Sequence, residues 1–257
     1  MENSVKVLKS IVENVENVIV GKRKSVELAL ISLVCNGHVL IEDVPGVGKT
    51  SLISSLAKSI NASFKRIQFT PDILPSDITG FSMYNQKTGD FEYRPGAVMS
   101  QIILADEINR TSPKTQASLL EVMEENQVTV DGVTHKVPKP FMVLATQNPV
   151  EYLGTFPLPE AQLDRFFMKI SIGYPTTGEE SYILNRFRQS NPIDELKSVA
   201  TGEEILKLQE EVKEVHVDKT LNDYIVDIVA STRKHNDIIL GSSPRGSISL
   251  FKAAQAW

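Results

Sequence analysis

Cysteine is almost absent from this chain, which has one such residue, Cys35, in 257. An internal disulfide is therefore excluded, and no cysteine and histidine residues stand at metal-ligand spacing. Cys35 lies in the apolar stretch LALISLVCNGH, where we interpret it as a small buried side chain on a helix that ends at Asn36-Gly37. We assign it no chemistry.

Long apolar runs are also missing. No segment approaches the roughly 18 apolar residues of a membrane-spanning helix. The first stretch, MENSVKVLKSIVENVENVIVG, is interrupted by Glu13 and Glu16 and lacks the continuous apolar region of a secretory signal. We therefore expect no membrane insertion and a cytoplasmic location.

Positive charge is not in excess, because 27 lysine and arginine residues face 32 aspartate and glutamate residues, for a formal net charge of -5. This balance argues against a protein whose whole surface binds nucleic acid. We therefore do not expect a nucleic acid partner.

Short apolar runs alternate with segments of helical period. This alternation predicts an α/β fold with a mainly parallel five-stranded sheet between helices. The predicted strands are HVLIE (38–42), FKRIQF (64–69), QIILAD (101–106), FMVLAT (141–146) and FFMKISI (166–172).

Two segments interrupt this rhythm, at residues 80–96 and 127–137, and we predict both to be hairpin insertions; the second turns at Asp131-Gly132. After Pro175 the strand pattern stops and helical periodicity takes over. We predict an α/β core at residues 1–175 and a small all-helical domain at 176–257. Because no capping signal closes the last helical segment, SISLFKAAQAW, we expect this domain to be incomplete at its C-terminus.

The stretch HVLIEDVPGVGKTSL, residues 38–52, resembles a phosphate-binding loop between a strand and a helix. In such loops backbone N–H groups hold phosphates, a lysine reaches the outer phosphates, and Ser or Thr binds Mg²⁺. Gly48, Lys49 and Thr50 fit the pattern G-x-x-x-x-G-K-[ST], but Asp43 replaces its first glycine. Asp tolerates left-handed backbone, so Asp43 is expected to hold the turn with its carboxylate directed away from the phosphates.

Polar residues follow two later predicted strands. Asp106 is placed to hold Mg²⁺ through its water shell, and Glu107 to polarise an attacking water. Asn148 follows the strand FMVLAT, where its amide would orient that water. Each motif is weak alone, since an acidic pair often only caps a helix and Asn-Pro often starts a turn. Their value lies in their order after a phosphate loop.

Taken together, EDVPGVGKT, ILADEINRTSPKTQASLLEVMEE, VLATQNPVEYLGTFPLPEAQLDRF and GSSPRG resemble the MoxR family of AAA+ ATPases, from about residue 17 to the end. The resemblance implies an AAA+ P-loop core with a helical lid, and ATP and Mg²⁺ as cofactors. It also makes Asp43 a family variant. The nucleotide-binding residues that it implies are Val20, Gly21, Pro45, Gly46, Val47, Gly48, Lys49, Thr50, Ser51 and Asp106, with Thr50 and Asp106 also holding the metal.

The same resemblance implies four catalytic residues, Glu107, Asn148, Arg165 and Arg245. Arg165 resembles the arginine finger that enters a neighbouring subunit's site, and Arg245 resembles sensor 2, delivered onto the γ-phosphate of its own subunit. Local explanations stay open: Arg165 with Asp164 as an ion pair, and Arg245 as a residue that bonds to backbone at a helix start. Arg110 is a lesser candidate for an intersubunit contact.

The implied function is Mg-dependent ATP hydrolysis by a homo-oligomer, a hexameric ring that remodels or matures a protein client beside a partner with a von Willebrand factor A domain. The aromatic residues of the first insertion are expected either to grip a polypeptide or to pack on one another. Three alternatives stay open: the ATPase subunit of a metal chelatase, a nucleotide-gated interaction module without turnover, and a DNA motor.

Overall fold

The computed structural model describes residues 2–148, 154–188 and 191–257. The strands are β1 (Val39–Glu42), β2 (Phe64–Gln68), β3 (Gly80–Asn85), β4 (Asp90–Pro95), β5 (Ile102–Asp106), β6 (Gln127–Val130), β7 (Val133–Lys136), β8 (Met142–Gln147) and β9 (Met168–Ile170). The helices are α1 (Glu2–Glu16), α2 (Arg23–Val34), α3 (Lys49–Ser59), α4 (Pro75–Thr79), α5 (Pro113–Glu125), α6 (Glu160–Leu163), α7 (Thr177–Phe187), α8 (Pro192–Glu195), α9 (Gly202–Lys213), α10 (Lys219–Thr232) and α11 (Pro244–Ala256), with a short 3-10 helix at Ile108–Arg110.

The central sheet has five strands in the order β2-β5-β8-β1-β9, and every pairing between them is parallel. The α/β prediction is therefore confirmed, and each sheet strand lies within two residues of its predicted bounds. The three central strands, β1, β5 and β8, are buried apolar runs apart from their last residues, because helices cover both faces of the sheet there, whereas the edge strand β2 exposes polar side chains.

Two apolar layers hold the sheet. Ile102 and Leu104 point to the layer formed with α1, α2 and α3, whereas Ile103 and Ala105 point to the layer formed with α5. All four side chains are fully buried. The parallel arrangement brings the carboxyl ends of β1, β5 and β8 to one edge, where their polar residues meet.

The insertions form two antiparallel hairpins outside the central sheet, β3 with β4 and β6 with β7. Asp131 and Gly132 both have positive φ at the turn of the second hairpin, as a two-residue type I′ turn requires. The hairpins touch each other, because the ring of Tyr93 stacks on that of His135 with centroids 3.9 Å apart.

Among the described residues, all elements after β9 are helices. Part of this helical region packs on the sheet layer, since Ile205 and Leu208 of α9 belong to the same buried cluster as Leu56 of α3. The predicted division at residue 175 stays a prediction. In the part of the chain that the structure describes, no helix is both long and apolar enough to span a bilayer.

Cys35 is buried directly after α2, as predicted, and its thiol donates to the carbonyl of Lys252 at 3.3 Å. Burial raises the pKa of this thiol to about 11. The thiolate, which is the reactive form, is therefore scarce at neutral pH.

His38 is a buried cross-link between α5, β1 and β8. Its Nδ1 accepts from the N–H of Val143 at 3.0 Å, so its Nε2 donates to the carbonyl of Met123 at 2.9 Å. Burial lowers the pKa of His38 to about 4, although the bond to Met123 opposes this shift. The ring is therefore neutral in the folded protein.

We expect acid to destabilise the protein through His38. An unfolded histidine takes up a proton near pH 6.5, whereas the folded ring does so only near pH 4. The stabilising contribution is therefore complete above pH 6.5 and is lost as the pH falls towards 4, by about 2 kcal/mol between pH 7 and pH 5. Urea unfolding at both pH values should show this slope in the wild type and in the surface control His235→Gln. An equal slope in His38→Gln would contradict the assignment.

Candidate functional site

The loop between β1 and α3 has the conformation of a phosphate cradle. Gly46 and Gly48 have φ of 85° and 91°, in the left-handed region that favours glycine. A Cβ at Gly46 would meet no atom within 4 Å, and one at Gly48 would meet only Ile19, at 3.8 Å. The glycines therefore leave open space at the N-terminus of α3, where anions bind most favourably.

Lys49 closes this loop on itself. Its Nζ donates to the carbonyl oxygens of Asp43 at 2.8 Å and Val44 at 3.3 Å. Thr50 follows with an exposed side chain. Both residues thus stand at the start of α3, facing the open space.

Asp43 anchors the loop through its side chain. Oδ2 accepts from the N–H groups of Ile172 at 2.6 Å and Gly173 at 2.7 Å and from the hydroxyl of Ser171 at 3.1 Å, while Oδ1 accepts from the N–H of Val44. The carboxylate therefore points away from the cradle, as expected. The expectation of left-handed backbone at Asp43 is wrong, because its side chain, and not its φ, fixes the turn.

The same contacts set the charge of Asp43. Burial opposes ionisation of this carboxyl, but the hydrogen bonds from Gly173, Ile172 and Val44 outweigh burial and hold its pKa below the ordinary value. Asp43 is therefore a buried anion at neutral pH, satisfied mainly by backbone N–H groups.

We expect Asp43→Ala to lower the free energy of unfolding by about 3 kcal/mol, because it leaves the N–H groups of Ile172 and Gly173 without acceptors. Nucleotide affinity should fall with it, since the loop loses its anchor. Chemical unfolding and equilibrium nucleotide binding measure the two effects. The matched control is Glu42→Ala, which removes an exposed ion pair with Lys169 and should cost less than about 1 kcal/mol. Equal losses in both variants would refute this role.

Asp106 ends β5, and Thr146 on the neighbouring strand holds it. The Thr146 hydroxyl donates to Asp106 Oδ1 at 2.7 Å and accepts from the N–H of Glu107 at 2.9 Å. One hydroxyl thus fixes both members of the acidic pair.

Glu107 has a left-handed backbone, with φ 58° and ψ 49°, a conformation that is uncommon and strained for a residue other than glycine. Its Oε2 accepts from Nε2 of Gln68 at 2.8 Å and from a guanidinium nitrogen of Arg110 at 3.0 Å. Arg110, a lesser candidate for an intersubunit contact, therefore pairs here with Glu107 of its own chain.

A cleft of about 400 Å³ gathers most of the predicted residues. It brings together the loop, the acidic pair and Asn148, whose side chain is largely buried. Sequence reasoning missed two further residues, Arg66 and Gln68, although their alternation with buried Ile67 on β2 was a usable signal. The lining residues are Pro45, Gly46, Gly48, Lys49, Thr50, Ser51, Arg66, Gln68, Asp106, Glu107 and Asn148.

Three predicted binding residues lie outside this lining. Val47 packs against the buried cluster beneath the loop. Val20 and Gly21 follow Ile19, which approaches Gly48, and Gly21 lies against the carboxylate of Glu179 on α7. The segment 18–21 thus runs between the loop and the helical region.

Arg165 and Arg245 lie at the opposite edge of the sheet. Both donate to the carboxylate of Glu124 on α5, at 3.2 Å and 2.5 Å. They share a cavity with His38, which precedes β1, whereas the phosphate loop follows β1. The length of the strand, roughly 15 Å, therefore separates them from the cleft.

This placement bears on two predictions. Arg165 pairs with Glu124 in this structure, and Ser243, at the start of α11, donates to the adjacent Asp164 at 2.6 Å. Arg245 was expected at the γ-phosphate of its own subunit, but in this arrangement the sheet stands between the two. Residues 149–153, within the predicted motif that precedes Arg165, lie outside the described residues.

The cleft fits Mg²⁺ bound together with phosphates. The Thr50 hydroxyl and the Asp106 carboxylate both line it, and such oxygen atoms are the ligands that Mg²⁺ prefers. The described residues contain no cluster of three or more Asp, Glu, His or Cys that would hold a metal unaided. Phosphate oxygens and water molecules would complete the coordination, as is usual for this ion.

Comparisons with known proteins agree with this geometry. A model of the ATPase family associated with various cellular activities (AAA) matches residues 38–168. The uncharacterized protein YeaC of Bacillus subtilis is 59% identical over 96% of this chain and 77% of its own length. The chaperone MoxR1 of Mycobacterium tuberculosis is 42% identical over 98% of this chain and 69% of its own length. A crystal structure of a proposed ATPase from Cytophaga hutchinsonii superposes with a TM-score of 0.90 at 40% identity, covering 99% of this chain and 81% of that one. The chain therefore belongs to the MoxR family of AAA+ ATPases.

Proposed function

We propose that this protein hydrolyses ATP in the cleft between the phosphate loop and the acidic pair, with Mg²⁺, and that it does so as a ring of identical subunits. One observation carries this proposal: a single cleft is lined by Gly46, Gly48, Lys49, Thr50 and Ser51 of the loop together with Asp106, Glu107 and Asn148. Binding, metal-holding and water-activating groups are thus side by side.

The loop residues bind the triphosphate. Backbone N–H groups at the start of α3 donate to the phosphate oxygens, and the Nζ of Lys49 leaves the carbonyl oxygens of Asp43 and Val44 to donate to them as well. Thr50 and Asp106 would hold Mg²⁺, which would supply positive charge to offset that of the phosphates.

Glu107 and Asn148 position the attacking water. The oxygen of that water attacks the γ-phosphorus, the bond from this phosphorus to the β–γ bridging oxygen breaks, and ADP and inorganic phosphate leave. Glu107 accepts the proton of the water. The contacts from Gln68 and Arg110 hold the Glu107 carboxylate before nucleotide binds.

The two arginines serve a neighbouring subunit in this proposal. Arg165 and Arg245 share Glu124 at an edge that their own cleft does not reach. Their side chains are about 31% and 51% exposed, so a second copy of the chain has access to them. An arginine supplied in trans contributes on the order of 10³ to 10⁵ in rate in comparable enzymes.

The client is proposed to be a polypeptide. The rings of Tyr84 and Phe91 in the first hairpin pack on each other with centroids 5.4 Å apart, yet these two side chains and that of Phe81 are each about half exposed or more, which leaves an apolar surface for a polypeptide. The relative MoxR1 of Mycobacterium tuberculosis is named a chaperone. The hexameric ring size, a partner with a von Willebrand factor A domain and the cytoplasmic location stay predictions from the sequence.

The test is the rate of ATP hydrolysis per subunit against protein concentration, with the oligomeric state measured at each concentration. A rate that climbs steeply and then saturates as rings form supports sites completed between subunits. An undiminished rate from monomers would refute the claim that hydrolysis requires a ring. ATP that binds but is not hydrolysed at any protein concentration would refute the proposed ATPase activity.

A further inference from the structure

Arg66 lines the cleft but belongs to none of the sequence motifs. It lies on β2, two residues before Gln68, which stands opposite Asp106 in the sheet register. Its Nε and one terminal nitrogen donate to Asp106 Oδ2 at 3.2 Å and 2.6 Å, and the same terminal nitrogen donates to Oε1 of Gln68 at 2.8 Å. The guanidinium is therefore held against an acid that is predicted to serve Mg²⁺.

Both oxygens of Asp106 are engaged in this structure. Thr146 donates to Oδ1, and Arg66 occupies Oδ2. A Mg²⁺ ion whose water shell is bound by Asp106 needs one of these oxygens as an acceptor. The hydroxyl of Thr146 also holds Glu107, so Arg66 is the partner that can leave without disturbing the acidic pair.

The cleft also has few positive groups. Lys49 and Arg66 are the cations among its lining residues, opposite Asp106 and Glu107. Each cation donates to oxygen atoms of the protein, Lys49 to loop carbonyls and Arg66 to a carboxylate and an amide. A bound triphosphate offers both of them oxygen atoms with more negative charge.

We propose that Arg66 is a further phosphate-contacting residue of its own subunit. With Mg²⁺ and ATP bound, the Asp106 carboxylate would hold the metal's water shell in place of the guanidinium, and the Arg66 guanidinium would donate to the terminal phosphate of ATP. This assignment rests on the proposed nucleotide site. It gives the γ-phosphate in that site an arginine from the same chain, a role that Arg245 does not fill in this structure because it lies at the opposite edge of the sheet. The planar fork of arginine suits phosphate oxygens, and the Arg66 side chain, 49% exposed, is free to rotate into the cleft.

The experiment measures equilibrium binding to the full chain under three conditions. These are ADP in EDTA, ADP in Mg²⁺, and, also in Mg²⁺, an ATP analogue that has a methylene group between the β and γ phosphorus atoms. The variant is Arg66→Met. Its matched control is Lys65→Met, which removes the same charge from the adjacent residue of β2, whose side chain lies outside the cleft. Circular dichroism checks that each variant is folded.

Two ratios decide the proposal. In Arg66→Met, the preference for the ATP analogue over ADP in Mg²⁺ should fall about tenfold, because a charged hydrogen bond to the terminal phosphate is lost. The gain in ADP affinity on adding Mg²⁺ should rise about threefold, because the competing cation at Asp106 is gone. Lys65→Met should leave both ratios at the wild-type value.

Either ratio unchanged in Arg66→Met overturns the proposal. Should this variant fail to fold, Arg66→Lys keeps the charge without the planar fork; it should show a smaller fall in the first ratio, and an unchanged value overturns the proposal as well. Wild-type protein that binds none of the three ligands would instead overturn the proposed nucleotide site.

Discussion

Glu107→Gln should lower the ATP turnover number by at least about 100-fold and change ATP affinity by less than about threefold. An amide cannot accept the proton of the attacking water, and general-base catalysis typically contributes 10² to 10⁴ in rate. Glutamine has the size of glutamate and can still accept from Arg110 through its carbonyl oxygen. Binding should therefore survive when turnover does not.

Steady-state hydrolysis and equilibrium binding of ATP measure these two quantities. Glu125→Gln, an exposed residue at the end of α5, is the matched control and should hydrolyse ATP at the wild-type rate. Lys49→Ala should differ from both, because it removes a phosphate contact and should lose binding as well as turnover. Normal turnover by Glu107→Gln would show that this carboxylate does not activate the water.

Arg165→Ala should lower turnover about 10³-fold, and mixing it with Glu107→Gln subunits should restore activity. A cleft with intact Glu107 beside a neighbour with intact Arg165 is complete. In rings mixed at random in equal amounts, about one quarter of the sites meet both conditions, so the mixture should reach about one quarter of the wild-type rate.

The same mixing experiment assigns Arg245. If Arg245 serves the neighbour, Arg245→Ala mixed with Glu107→Gln should also recover; an arginine that serves its own cleft cannot be rescued, because no mixed site is then complete. The control pair is Lys49→Ala with Glu107→Gln, whose two residues line one cleft and should never complement. Failure of Arg165→Ala to recover would leave Arg110 or a self-sufficient subunit as the source of the arginine.

The fold was predictable because its signals are local. Five apolar runs of strand length, separated by helical segments, identify the sheet strands to within two residues. The phosphate loop is equally local, since Gly46 and Gly48 are needed for its backbone conformation. Both features are thus determined by residues that are close together in the sequence.

The missed features all depend on which strands are neighbours. Arg66 and Gln68 reach the acidic pair because β2 lies beside β5, and Thr146 reaches it because β8 lies on the other side. A single sequence does not contain that order. The position of Arg245 depends in a similar way on how α11 packs against α5, through Glu124, so its predicted role at the γ-phosphate stays a prediction.

Asp43 links the phosphate loop to the point where the chain leaves the sheet. Its carboxylate fastens the phosphate loop to Ile172 and Gly173, the residues through which the chain leaves the sheet. The loop and the exit of the last strand therefore form one rigid block. The connection to the helices then continues through the exposed Tyr174 and the proline that follows it. A displacement of the phosphate loop would therefore pass through the Asp43 carboxylate to the start of this connection.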